Sequence, residues 1–97
     1  MSNYEYDYPF PPEEGANLAR DLLSQKISLK GLTVSLKDLP PSLLVGAFFN
    51  GFLQTIFVNR SELLDEAKTI IWEPDHEFQQ DNIKRWVRDF VPQNAQQ

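Results

Sequence analysis

A small, single-domain α/β sandwich is the fold that this sequence predicts. The chain has 97 residues, of which 41% are hydrophobic and 24% are charged, as is usual for one globular domain. Segments with the period-two alternation of strands and segments with the 3.6-residue period of helices follow each other along it. Such an order is typical of helices packed on a sheet. We therefore expect a mixed sheet of about four strands, three main helices, one domain over residues 1–92 and a disordered tail over residues 93–97.

The first predicted strand lies at the N-terminus, where aromatic residues alternate with acidic residues or proline. The aromatic members are Tyr4, Tyr6, Tyr8 and Phe10. They would form either an exposed sheet edge that pairs with another protein or an ordinary strand face packed over the sheet, and we favour packing.

The first predicted helix follows the Pro11-Pro12-Glu13-Glu14 run, because proline suits the first helical turn and carboxylates favour the positive end of the helix dipole. Its apolar stripe consists of Ala16, Leu18, Ala19, Leu22 and Leu23.

A strand region in two alternating parts is predicted next. Residues 27–29 alternate between apolar and polar, and the alternation resumes out of phase over residues 32–36. A turn or bulge at Gly31 would reset the phase.

The central helix is predicted from residues 43–58, a stretch without a single charge. Pro40 and Pro41 end the preceding strand, and Ser42 can cap the helix. Its core face consists of Val45, Phe48, Phe49, Phe52, Leu53 and Ile56. Sixteen residues fall short of the ~20 that cross a bilayer, so we interpret the segment as a core helix and expect no membrane partner.

The opposite side of this helix is the predicted partner-binding surface. We name as the neutral stripe Leu43, Gly46, Ala47, Asn50, Gly51 and Gln54, with Ser42 at its end. Glycine and alanine permit close approach, and the amides supply hydrogen bonds without the desolvation of a charge. The alternative is that another element, such as a turn at Leu63-Leu64, covers the stripe internally.

The C-terminal part of the chain predicts a short helical turn near residues 61–67, a last strand at residues 69–72 and a closing helix. Trp72 and Trp86 both fall on predicted core stripes. Lys84, Arg85 and Arg88 are interspersed with aspartates, and we interpret them as a solvated helix face.

Catalytic, cofactor and metal sites are not expected. The compact titratable cluster is Glu73, Asp75, His76 and Glu77, which lacks a known ligand spacing and which we interpret as a solvated turn rather than a divalent-cation site. His76 is the only histidine, and no phosphate-binding glycine motif or cysteine occurs. The net charge of −5 opposes approach to a phosphate backbone, so nucleic acid is not an expected partner. The residues at the N-terminus lack the pattern of a signal peptide, and we expect a cytoplasmic location.

A family resemblance is carried by residues 32–49, which read LTVSLKDLPPSLLVGAFF. This run resembles the core of STAS-like domains, a family that includes bacterial anti-anti-sigma factors, in which an apolar strand leads through a short loop to a serine at the start of the central helix. Pro41 and Leu43 flank the serine here, where phosphorylation-switched members have aspartate and glycine. The chain therefore looks closer to the uncharacterised STAS-like branch. The resemblance implies a bacterial, non-catalytic regulatory module.

Three functions remain as hypotheses from the sequence. The leading one is a regulatory or adaptor module that binds a protein through Ser42 and the neutral stripe. The second is a structural, self-associating homodimer, and the third is a small acidic inhibitor of a nucleic-acid-binding protein. Phosphorylation of Ser42 would add about −1.5 to −2 charge beside this surface, although simple capping of the helix also explains the serine.

Overall fold

The structure is a computed structural model that describes residues 3–7, 9–40 and 45–92. The predicted partner residues Ser42 and Leu43, the aromatic residue Tyr8 and the predicted tail over residues 93–97 lie outside the described residues. The strands are β1 (Asn3–Tyr6), β2 (Thr33–Leu36) and β3 (Ile71–Glu73). The α-helices are α1 (Pro12–Ser24), α2 (Val45–Asn59), α3 (Leu64–Ala67) and α4 (Glu77–Asp89), with a 3-10 turn at Ser61–Leu63.

The sheet has the order β1-β2-β3 and all of its strand pairs are parallel. Val34 of β2 is opposite Tyr4 on one side and Trp72 on the other. The α/β class is confirmed. The prediction of a mixed sheet of about four strands was wrong in detail, because the described residues form three strands that run in one direction.

Residues 27–29 account for the missing strand. The Ile27 N–H donates to the Leu22 carbonyl at the end of α1, and the Leu32 N–H donates to the Leu29 carbonyl. Between them, Gly31 has the positive φ of 71° that the predicted turn requires. The backbone of residues 27–29 therefore forms hydrogen bonds with a helix end and a turn instead of with a neighbouring strand. The segment is a loop, and its apolar residue Leu29 is buried in the core.

The helices cover one face of the sheet. Tyr6, Val34, Leu36 and Trp72 point to this face and are buried. Trp72 meets the rings of Phe49 and Phe52 edge-on at 5.1 and 5.2 Å. The opposite face carries Asn3, Glu5, Thr33, Ser35, Ile71 and Glu73, all of them exposed or only half-buried. The domain therefore has two layers, with its core between the sheet and α2.

Helices α1 and α2 cross in close contact at Gly15. A Cβ atom built on Gly15 would lie 2.0 Å from the Phe48 carbonyl oxygen and 3.1 Å from the Phe52 nitrogen. Only a residue without a side chain allows this approach of two backbones. The crossing holds the central helix over the sheet and so positions the surfaces described below.

We expect Gly31→Ala to lower the free energy of unfolding by about 1 kcal/mol, because an L-residue in the left-handed region costs about 1–2 kcal/mol. Apart from the two neighbouring residues in the chain, no described residue has an atom within 4 Å of the added Cβ, so the effect isolates the backbone conformation. Chemical denaturation measures it, with Gly31→Asn as the control because asparagine tolerates this region. Equal stability of the alanine variant and wild type would contradict the positive φ.

Candidate protein-binding surfaces

The neutral stripe on α2 is partly internal and partly exposed. A Cβ on Gly46 would lie 3.1 Å from both Cε2 and Nε1 of Trp86, so α4 covers this end of the stripe. Ala47 and Asn50 are exposed, whereas Gly51 and Gln54 are half-buried. The residue that covers Gly46 is therefore Trp86, rather than the predicted turn at residues 63–64.

A groove of about 410 Å³ runs between α2 and the end of α4. Its α2 side consists of Gly46, Ala47 and Asn50, and its other side of Trp86, Asp89, Phe90 and Val91. Val91 is 75% exposed, the largest exposed fraction among the large hydrophobic residues that the structure describes. We name this the α2–α4 groove. It joins the exposed part of the neutral stripe to an apolar patch.

Asp89 is the ionisable residue in the lining of the α2–α4 groove, and its carboxylate is already paired. Arg88 Nε donates to Asp89 Oδ1 at 3.0 Å. This hydrogen bond and the Arg88 charge lower the pKa of Asp89, and the same contact raises the pKa of Arg88. The groove therefore presents an almost neutral surface to a partner.

A second groove, of about 430 Å³, lies between β3 and α4. Its apolar residues are Ile70, Ile71, Trp72, Ile83 and Val87. Its remaining residues are Gln80 and the cations Lys68, Lys84 and Arg88. We name this the β3–α4 groove. It combines an apolar floor with a positively charged rim, on a chain whose net charge is −5.

The N-terminal aromatic row packs largely as an ordinary strand face. Tyr6 is buried, and its ring lies 5.2 Å from Phe10 and 5.3 Å from Phe48. The half-buried Tyr4 donates its hydroxyl hydrogen to Asp21 Oδ2 on α1. The aromatic side of β1 is therefore a contact surface within the domain.

The acidic cluster before α4 is an exposed turn. Asp75 Oδ2 accepts a hydrogen bond of 2.6 Å from the Asp38 N–H, where Asp38 has a φ of 57°. The His76 ring stacks on Phe78 with centroids 5.6 Å apart. Across the described ranges, no three histidine, cysteine or acidic side chains are placed to hold a metal ion. The Asp75 carboxylate links two loops at one end of the sheet.

Gln79 is a residue that sequence reasoning missed. It is 3% exposed, and its Nε2 donates to the Leu39 carbonyl at 2.8 Å. This bond attaches the loop after β2 to α4. The sequence could not predict this burial, because Gln79 lies in the polar first turn of α4 and its partner Leu39 is far away along the chain.

Both tryptophans pack against the core, as predicted. Trp72 is 5% exposed, and the half-buried Trp86 stacks on Phe49 with centroids 5.7 Å apart. Trp86 therefore contributes its ring to the core and its edge to the α2–α4 groove.

None of the helices traced in the described ranges is long and apolar enough to cross a membrane. Comparison of the chain with protein-family models, curated proteins and solved structures gives no match.

Proposed function

We propose that this protein is a non-catalytic protein-binding module that acts in the cytoplasm through the α2–α4 groove. The observation that carries the proposal is the exposure of Ala47 and Asn50 beside Val91, in a groove of about 410 Å³ whose single carboxylate is paired. A partner that covers this surface would bury apolar area and satisfy the Asn50 amide without stripping water from an unpaired charge.

Two exposed ion pairs shift the pKa values of their carboxyl groups. Arg60 donates to Glu62 at 2.7 Å and lowers the pKa of that carboxyl, and Arg88 does the same for Asp89. Both pairs lie on the exposed surface.

A STAS-like architecture is part of the same proposal. The strand β2, the short connection after it and the long central helix α2 support it, because this order matches the run of residues 32–49 that carries the resemblance. Phosphorylation of Ser42 stays a prediction, and mass spectrometry of protein from its native cells would test it.

We expect Asn50→Arg to abolish capture of a protein partner from native extract, because a long cation would occupy the groove. Asn50 is exposed, so the free energy of unfolding should stay within about 0.5 kcal/mol of wild type. The matched control is Asn59→Arg, the same substitution at an exposed position at the end of α2 and outside the groove lining. Partner capture is measured by affinity enrichment and quantitative mass spectrometry.

The proposal fails if the folded Asn50→Arg variant captures the same proteins as wild type. It also fails if Asn59→Arg loses them to the same extent, because the loss would then follow from added charge. Gly46→Arg is a poorer probe, since its side chain would displace Trp86 and disturb folding.

Self-association through the same groove is the second candidate. The exposed Val91 and the near-neutral lining favour it, because two copies could meet there without charge repulsion. Sedimentation over a range of concentrations distinguishes the candidates. A dimer that Asn50→Arg converts to a monomer supports self-association, and a monomer at every concentration excludes it.

A further inference from the structure

The outer edge of β3 presents unused backbone groups to the β3–α4 groove. The Ile71 N–H donates to the Leu32 carbonyl of the neighbouring segment at 2.7 Å. Because a trans peptide places C=O and N–H on opposite sides, the Ile70 carbonyl points away from β2. Alternation along a parallel strand likewise turns the Trp72 N–H and carbonyl outward.

One of these outward groups already has a partner. Gln80 Nε2 of α4 donates to the Trp72 carbonyl at 3.1 Å. Within the part of the chain that the structure describes, the Ile70 carbonyl accepts no hydrogen bond and the Trp72 N–H donates none. The edge therefore offers one acceptor followed, two residues later, by one donor.

These two groups, with the hydrogen bonds already made beside them, favour a parallel direction for an added strand. In a parallel pair, one residue of the new strand donates to residue i−1 and accepts from residue i+1 of the old one. Ile70 and Trp72 stand in that relation to Ile71. An antiparallel neighbour would reach the same two groups from two different residues, and its closely spaced pairs opposite Ile70 and Trp72 would each lack one bond. The Ile70 N–H already donates to the Ala67 carbonyl at 3.3 Å, and the Trp72 carbonyl accepts from Gln80.

The groove beside this edge has an apolar floor and a positively charged rim, which suit an acidic and apolar segment. Its floor next to α4 is apolar at Ile83 and Val87, and its cations are Lys68, Lys84 and Arg88. None of the described residues that line it is acidic. Arg88 shares its charge with Asp89, whereas Lys68 lies near the Phe90 ring, with its nitrogen 6.0 Å from the centroid.

We propose that the β3–α4 groove binds an extended, acidic and apolar segment of a partner protein, which adds to the sheet as a fourth strand parallel to β3. Strand addition at an open edge supplies main-chain hydrogen bonds, and alternate side chains supply specificity. This site is separate from the α2–α4 groove and does not depend on the function proposed above.

The direction of the helix fixes the order of side chains in the bound segment. Gln80, near the start of α4, lies by Trp72, and Phe90, just after its end, lies by Lys68. Helix α4 thus runs opposite to β3, and the N-terminal end of the bound segment lies by Lys68 and Arg88. Acidic residues belong at that end, followed by apolar residues over Ile83 and Val87.

The probe is the blocked peptide acetyl-Asp-Glu-Val-Thr-Val-amide, titrated into the full chain and followed by amide NMR. We expect saturable shifts at β3 and in α4, together with slower hydrogen exchange of the Trp72 amide. The intended register places the threonine opposite Ile71, so that its N–H donates to the Ile70 carbonyl. Methylation of the threonine nitrogen should therefore weaken binding by about tenfold or more. A spin label at the N-terminal end of the peptide should broaden Lys68 more than Gln80.

Charge reversal on α4 tests the rim. We expect Lys84→Glu combined with Arg88→Glu to weaken the peptide by about tenfold at low salt. Arg20→Glu combined with Arg85→Glu is the matched control, since both arginines are exposed and neither lines the groove. A Lys-Lys peptide in place of Asp-Glu should bind the doubly reversed variant better than wild type.

Four results would overturn the proposal. The first two are the absence of saturable shifts at β3 with about 1 mM peptide and equal binding of the N-methylated and unmethylated peptides. The third is stronger broadening at Gln80 than at Lys68 by the spin label. The fourth is an equal loss of peptide binding in the control variant and in the double reversal on α4. Protection of the Trp72 amide in concentrated protein without peptide would identify a second copy as the occupant.

The peptide titration of the unaltered chain does not involve Asn50, so its failure leaves the α2–α4 groove proposal standing. The charge-reversal variant is kept out of the capture experiment, because Arg88→Glu would remove the partner of Asp89.

Discussion

Replacing Phe49 by alanine should lower the free energy of unfolding by about 4 kcal/mol. Phe49 is 1% exposed, and its ring contacts Phe48, Trp72 and Trp86 at centroid distances of 5.1 to 5.7 Å. It therefore connects α2 to both β3 and α4. A domain of this size is stable by about 5–15 kcal/mol, so the loss is a large share of the total.

Urea denaturation followed by circular dichroism measures the effect of Phe49→Ala. Phe78→Ala is the matched control, because Phe78 is 61% exposed and should change stability by no more than about 0.5 kcal/mol. Similar losses in both variants would contradict the described packing of α2 between β3 and α4.

Gly15→Ala should destabilise the domain by about 3 kcal/mol, although alanine is the better helix former. In an open helix the substitution would gain about 1 kcal/mol. Here the new Cβ would lie 2.0 Å from the Phe48 carbonyl oxygen, which belongs to a backbone and cannot rotate away. Helices α1 and α2 must separate, and overpacking of this kind costs typically 1–3 kcal/mol or more.

The sign of the change in unfolding free energy for Gly15→Ala shows whether α1 and α2 are in contact at this position. Ser24→Ala, at an exposed position in the last turn of α1, is the control and should be close to neutral. Thermal and urea unfolding of both variants provide the comparison. A gain in stability at position 15 would mean that the two helices do not cross in contact there.

The sequence was most informative where one face of a helix meets the core. All six residues predicted for the core face of α2 are buried, from Val45 to Ile56. This agreement has a simple cause, since a helix buried on one side repeats its apolar residues every 3.6 positions. The same reasoning identified α1 and α4.

Strand direction could not be read from the sequence. Alternation at Leu32, Val34 and Leu36 reports which face is buried and carries no information about whether the neighbouring strand is parallel. Residues 27–29 show the other limit, because an alternating segment can bury Leu29 while its backbone bonds to the end of a helix.

The candidate surfaces were predicted only in part. Periodicity located Asn50 and Ala47 opposite the core, but it could not show that Trp86 covers Gly46 on the flank. The β3–α4 groove had no sequence signal, because Lys68 and Arg88 are 20 residues apart in the chain. They line the same groove only because α4 runs opposite to β3. Gly15 offered a weak signal, as a glycine inside an amphipathic helix.

The sheet face turned away from the described helices has a consequence for aggregation. Parallel sheets are usually covered on both sides, yet this one presents Glu5, Ser35 and Glu73 in a single row across its three strands. Two copies stacked through these faces would bring four carboxylates into a dry interface, and burial of unpaired charge is strongly unfavourable. We therefore expect this row of side chains to oppose aggregation through this face.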